Sequence, residues 1–123
     1  MRGQRLFIRP IESGDAGVLR RFFAANDHPG EPPDLGLIGK LVGDVVAVLE
    51  MELTADAIRI ANLFVAPELR RKRVGRYMVD ELGRLARKMD RDRLTVRAGN
   101  EAAEFFRRIG FEDGELEMVR KLT

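Results

Sequence analysis

Apolar positions along the chain change period several times, and each change marks an element. Residues 5–9 alternate, with Leu6 and Ile8 on one face, and Pro10 ends the run, which predicts a short first strand. Ser13, Gly14 and Asp15 offer a helix start, after which Val18, Leu19, Phe22 and Phe23 recur at helical spacing as far as about Asn26. Residues 27–34 have no period, and their prolines predict a loop. Two β-rich runs, 37–42 and 45–53, meet at Gly43-Asp44, the composition of a tight hairpin turn. Strict alternation in the second run puts Val45, Ala47, Leu49, Met51 and Leu53 on one face and Val46, Val48, Glu50 and Glu52 on the other. One face is then core, and the other turns polar toward its end. Residues 54–57 read as the next turn and 58–65 as a third strand, so the simplest arrangement is an antiparallel meander.

The period then becomes helical over 74–88. Val74, Tyr77, Met78, Leu82, Leu85, Ala86 and Met89 fall on one side, and Arg76, Asp80, Arg84 and Arg87 on the other, with Asp80 and Arg84 spaced as an i, i+4 ion pair. Residues 93–97 form a short strand around Leu94, Thr95 and Val96. Strand, crossover helix and strand make a βαβ unit, so this pair is expected to be parallel. Asn100 suits the N-cap of a further helix carrying Ala102, Ala103, Phe105, Phe106 and Ile109, with Gly110 as the terminating glycine. Residues 111–113 and 116–121 close the chain as a hairpin through Gly114. The fold class is α/β (α+β), a mixed sheet with an antiparallel N-terminal meander and a parallel βαβ pair, in a single domain spanning 1–123.

Composition narrows the chemistry. With 123 residues, 45% of them hydrophobic, the chain supports one core. Charged residues make up 34%, yet they nearly cancel to +2, so the bases as a whole do not point to nucleic acid. The absence of cysteine excludes disulfides, a thiol nucleophile and thiolate metal sites. His28 is the single histidine, which excludes a zinc site built on several imidazoles, so no metal is expected. Residues 1–10 hold Arg2, Arg5 and Arg9 without an apolar run, and no stretch is long enough to cross a bilayer. The expectation is a cytoplasmic protein without membrane or nucleic-acid partners.

Charge does concentrate at one place. Leu63-Phe64-Val65-Ala66-Pro67 ends a strand, and Arg70, Arg71, Lys72, Arg73, Val74, Gly75 and Arg76 lead directly into a helix. The first amides of a helix lack intrahelical partners, and with the positive end of the helix dipole they form an anion site. Gly75 has no Cβ and would let a ligand approach the backbone. The expected ligand is a polyphosphate.

These residues resemble the signature of the GNAT superfamily of N-acetyltransferases, V-x-P-x-x-[RQ]-x-x-G-x-[GA]. Val65, Pro67, Arg70 and Gly75 match it, and Arg73 stands where the first glycine usually is. Asn100, Ala103, Phe106, Gly110 and Phe111 resemble a second segment of the same superfamily, N-x-x-A-x-x-[YF]-x-x-x-G-F. The resemblance implies acetyl-coenzyme A as cofactor, its pyrophosphate on the loop amides. It also implies a parallel pair splayed at the cofactor site, with the backbone of Phe64 and Val65, and possibly of Leu63, polarising the acetyl carbonyl, and with Asn100 reaching the cofactor from the splayed side. An acetyl group would pass to a primary amine, on a small molecule or a peptide, by direct attack in a ternary complex.

Catalytic groups are fewer than that chemistry usually employs. The family's usual tyrosine acid is replaced by Phe106, which can only wall the thioester, and Tyr77 is expected to pack. Glu50 and Glu52 are candidates for the base, Glu52 the stronger, with His28 in the loop as a third. Acids at Asp27, Glu31, Asp34, Glu112, Asp113, Glu115 and Glu117 are expected to rim the acceptor entrance and to favour a cationic amine. Two alternatives remain open at this point: a non-catalytic acyl-coenzyme A sensor of the same fold, and a basic nucleic-acid-binding domain. A homodimer is compatible with either enzyme or sensor.

Overall fold

The structure is a computed structural model and describes residues 5–122. In chain order it contains β1 (Leu6–Pro10), a 3-10 turn (Ser13–Asp15), α1 (Ala16–Ala25), β2 (Gly36–Leu41), β3 (Asp44–Leu53) and β4 (Ala57–Val65). A second 3-10 turn (Pro67–Leu69) leads to α2 (Val74–Lys88), β5 (Arg93–Val96), α3 (Asn100–Arg108) and β6 (Met118–Lys121). The six strands form one sheet in the order β1-β2-β3-β4-β5-β6. Every neighbouring pair is antiparallel except β4 and β5, which run parallel as the βαβ reading requires.

Helices cover both faces. On one side α2 and α3 press Met78, Leu82, Ala86, Ala103 and Phe106 against Leu49, Met51, Ile58 and Leu94. On the other, Leu19, Phe22 and Phe23 of α1 pack on Ile38, Val48 and Ala66. The middle of β3 is therefore buried on both sides, from Val46 to Leu49, which corrects the expectation of a single core face. Alternation fails at one point as well. Lys40 pairs with Val45 and Gly39 with Ala47, so Val46 is an extra residue. This bulge turns Val45 to the α1 side, away from Ala47. Leu53, at the strand end, is exposed.

Helix α2 has the predicted limits but a rotated face. Val79 and Gly83 are buried, whereas Tyr77 is 43% exposed, so Tyr77 is not a packing residue. Asp80 does not pair with Arg84. It accepts from Arg120 of β6 at 3.0 Å and lies 3.9 Å from Arg76, while Arg84 turns to Glu81. The strand beneath the helix offers Asp80 a less exposed partner than its own helix does. The closing hairpin is likewise reduced to one bridge, Glu112 with Val119, because β6 is taken up as the partner of β5.

Asp15 links β1 to α1. Its two carboxylate oxygens accept from Arg9 at 2.7 and 2.8 Å, and Oδ2 also accepts from the Glu12 N–H at 2.7 Å. The Arg9 hydrogen bonds, helped by that amide, hold the Asp15 carboxyl at about 2, below its ordinary 3.8.

Candidate functional site

The site begins where two parallel strands part. Pairing between β4 and β5 ends at Ile60 and Val96, but β4 continues to Val65 while the other chain turns away into α3. Ala66 N–H donates to Val46 O at 2.8 Å, toward β3. By strand alternation the amides of Phe64 and Asn62 also face β3, and those of Leu63 and Val65 face the gap. The backbone donors on the open side are thus Leu63 and Val65, and Phe64, expected among them, is taken up by the sheet.

The gap widens into a cleft of about 970 Å³ whose walls are β4, the start of α2, and α3. Leu63, Phe64, Val65, Arg70, Arg71, Arg73, Val74, Gly75, Arg76 and Phe106 all line it. Two residues expected here do not. Lys72 turns to a separate hollow beside β1, which Tyr77 also lines. Asn100 faces a third hollow with Arg97, Arg107 and Glu117. Nor is Asn100 the N-cap of α3: Gly99, extended at φ −70° and ψ 171°, takes that place and its carbonyl accepts from Ala102 and Ala103. Phe105 and Arg108 of α3 also line the cleft. The helical period identifies α3, but it does not say which turn meets the loop.

The phosphate-loop geometry follows from its sequence. Pro67 opens a 3-10 turn, and Arg71 and Arg73 adopt φ of 68° and 65°, with Arg73 as the N-cap of α2. Left-handed residues in such a turn gather successive N–H groups into an anion-binding concavity. Tyr77 N–H donates to Arg73 O at 3.0 Å, so the amides of Val74, Gly75 and Arg76 precede the helical ladder and point out of its positive end. Arg70 spans the cleft differently: its Nε donates to Val65 O at 3.3 Å, and its guanidinium lies 5.7 Å from the Phe64 ring centroid.

Gly75 has another role than the one expected. A Cβ there would lie 3.1 Å from Phe105 Cζ and 3.7 Å from Leu63 Cδ2. The missing side chain lets α3 approach α2, and Phe105 occupies the space that a ligand was expected to use. Phe106 is 5% exposed and meets Phe105 and Phe111 edge-on at 5.0 and 5.2 Å. With the sole tyrosine in another hollow, no phenolic hydroxyl lines the cleft.

Behind β4, on the α1 side, lies a smaller cavity of about 320 Å³. Glu50, Asn62, Phe64, Phe23, His28 and Val48 line it together with Glu31 and the loop prolines. Asn62 and Phe64 line the cleft too, so only β4 separates the two spaces. The His28 ring stacks on Phe64 at 4.3 Å and sits 4.6 Å from Phe23, and its amide donates to Phe23 O at 2.9 Å. Glu52, the stronger base candidate from sequence, lines neither space. Its side chain is 57% exposed and faces Arg59 at 3.7 Å, and Arg59 in turn donates to Glu117 at 2.9 Å. The two carboxylates, with the Glu117 hydrogen bond first, raise the Arg59 pKa. Of the seven acids expected at the acceptor entrance, Glu31 alone lines this cavity, while Asp113, Glu115 and Glu117 line the hollow of Asn100. Among the described residues no group of His, Asp and Glu could hold a metal ion.

Residues 19–113 match the family model described as an acetyltransferase (GNAT) domain. The chain belongs to the GNAT acetyltransferase family. No curated protein sequence matches it. Solved GNAT structures are similar in fold. The ribosomal-protein-S18-alanine N-acetyltransferase of Escherichia coli is 19% identical, with 97% of this chain and 95% of that one covered and a TM-score of 0.74. N-acetylglutamate synthase of Neisseria gonorrhoeae, solved with coenzyme A and L-arginine, is 19% identical at a TM-score of 0.79. That match covers 95% of this chain, which spans only 33% of the synthase. PaiA N-acetyltransferase of Thermoplasma acidophilum, solved with coenzyme A, is 13% identical at a TM-score of 0.72, with 95% and 99% covered.

Acetyl-coenzyme A is the acetyl donor of this family, and the cleft suits it. The outward amides of α2 with Arg71, Arg73 and Arg76 offer donors for an anion, and Leu63, Val65 and Phe105 give the cleft apolar walls. No helix among the described residues is long and apolar enough to cross a membrane.

Proposed function

We propose that this chain, acting as one catalytic domain, acetylates a primary amine by direct attack within a ternary complex, the cofactor on one side of β4 and the amine on the other. The observation that carries this reading is the shared wall, since Asn62 and Phe64 border both spaces. Bound acetyl-coenzyme A supplies the activated acetyl group. The N–H groups of Val74, Gly75 and Arg76, with Arg71 and Arg73, would hold its diphosphate, and those of Leu63 and Val65 would be the donors available to its carbonyl. Glu50, inside the acceptor cavity, takes the proton that the amine loses as the new C–N bond forms and the C–S bond breaks. Water gives the thiolate its proton, because Phe106 has none to give.

A second reading has support in the same residues. A cleft without a phenolic acid suits a sensor that holds an acyl-coenzyme A without turnover. Calorimetry with coenzyme A, followed by thiol release from acetyl-coenzyme A with a panel of amines, separates the two. Heat with amine-dependent thiol release supports the transferase, heat without release supports the sensor, and no heat on folded protein removes both.

A further inference from the structure

We infer that the acceptor cavity selects amines that carry no carboxylate beside the reacting nitrogen, so that peptide N-termini, amino-acid amides and simple alkyl or arylalkyl amines are accepted and free amino acids are rejected. The inference rests on the transferase reading for the place of the cavity, and on the charges around that cavity for its content.

Among the described residues lining the cavity are two carboxylates, Glu31 and Glu50, and no lysine or arginine. Glu50 is half-buried on β3, opposite Asn62, and forms no salt bridge among the described residues. An ammonium entering there meets a free carboxylate, and a carboxylate entering there meets a like charge in partly desolvated surroundings. Nearby cations lie outside that lining and have other contacts. Arg59, farther back on β4, is held by Glu117 at 2.9 Å and Glu52 at 3.7 Å. Arg20 meets Glu31 at 3.8 Å, with both side chains largely exposed. Arg70 lies in the cofactor cleft, engaged with Val65 O. Among the described residues, then, no lysine or arginine of the cavity wall is placed to receive an α-carboxylate. Phe23, His28 and Phe64 form an aromatic cluster in the wall that suits an apolar substituent.

The comparison that isolates this charge is L-phenylalaninamide against L-phenylalanine, which share a shape and differ at the carboxyl group, with phenethylamine as a third ligand. Binding to protein saturated with coenzyme A is read by calorimetry, and acetylated product from acetyl-coenzyme A is read separately. The amide and phenethylamine are expected to bind at least about tenfold more tightly than the acid. In Glu50→Gln that ratio is expected to fall severalfold toward unity, and in Glu31→Gln, nearer the exposed rim, to fall less. Equal binding of acid and amide, tighter binding of the acid, binding of none of the three, or a ratio unmoved by Glu50→Gln overturns the inference. Selective binding without product leaves the inference standing and removes the transferase reading. Product without selectivity does the reverse.

Discussion

Arg73 is the residue at which the chain departs from its family's loop, and replacing it with glycine separates backbone strain from charge. Arg73 sits at φ 65° and ψ 10°, a left-handed conformation that costs an L-residue about 1–2 kcal/mol. Glycine relieves that strain but loses about 0.5–1 kcal/mol more conformational freedom on folding. The net expectation for Arg73→Gly is therefore a gain of about 0–1.5 kcal/mol, about 0.75 kcal/mol at its centre. For 123 residues the unfolding entropy is about 0.26 kcal/mol per kelvin, so the melting temperature should rise by about 3 °C, and by no more than about 6 °C. The side chain is exposed and makes no hydrogen bond or ion pair with described residues, so no folded-state contact offsets the gain. Coenzyme A binding should move the other way. Losing one exposed cation from an anion site costs about 0.3–1 kcal/mol, or about two- to fivefold in affinity, and the loss should shrink as salt is added. Arg73→Asn keeps a residue that tolerates the left-handed region while removing the charge, so it should match glycine in affinity and fall between glycine and arginine in stability. Urea unfolding and calorimetry of the three proteins decide the matter. A glycine variant less stable than the parent, with unchanged circular dichroism, would refute the strain argument, and a salt-independent loss of affinity would refute the charge argument.

Three further outcomes are expected. Gly75→Val drives a branched side chain into Phe105 and should cost about 1–3 kcal/mol as well as weakening cofactor binding; adding Phe105→Ala should recover part of the stability, and strictly additive losses in urea would contradict the packing account. Asp15 has a folded pKa of about 2 against an ordinary 3.8, so its stabilisation is present above about pH 4 and is lost as pH falls through 2; the difference is worth about 2 kcal/mol, and Asp15→Asn should be less stable at pH 7 with a flatter stability profile between pH 4 and 2. Phe106→Tyr places a hydroxyl on the ring that walls the cleft and should raise kcat several-fold where proton delivery to the thiolate limits turnover, measured by thiol release.

Much of the fold could be read from the sequence because apolar period and chain breakers agree. The limits of α2, the meander of β2 to β4 and the parallel pair β4–β5 all follow from such agreement. The failures share one physical origin, which is that a neighbour decides what the segment alone leaves open. Val45 follows a bulge set by its pairing with β2, Tyr77 faces out because the face of α2 is fixed by the sheet beneath it, and Asp80 takes the partner that β6 delivers. In each case the residue type was compatible with both outcomes.

The site divides in the same way. The loop side of the larger cleft is written in consecutive residues, since one strand end and one helix start bring the amides, Arg71, Arg73 and Arg76 together, while its far wall comes from α3. The smaller cavity is assembled from three separated segments: Phe23 in α1 with His28 just after it, Glu50 on β3, and Asn62 and Phe64 on β4. Alternation places Glu50 and Glu52 on the same face of β3, and the sequence alone favours Glu52, which the structure does not bring to the cavity. What distinguishes them is the register with β4. Glu50 lies opposite Asn62, which leaves its carboxylate facing the cavity, whereas Glu52 lies opposite Arg59 and is neutralised there. The bulge between Glu50 and Met51 sets that pairing, for it opposes Met51 to Ile60 and so brings Arg59 rather than Ile60 across from Glu52. A one-residue irregularity in the β3–β4 ladder therefore decides which of two acids faces the cavity, and on the proposed function turnover should be far more sensitive to Glu50→Gln than to Glu52→Gln.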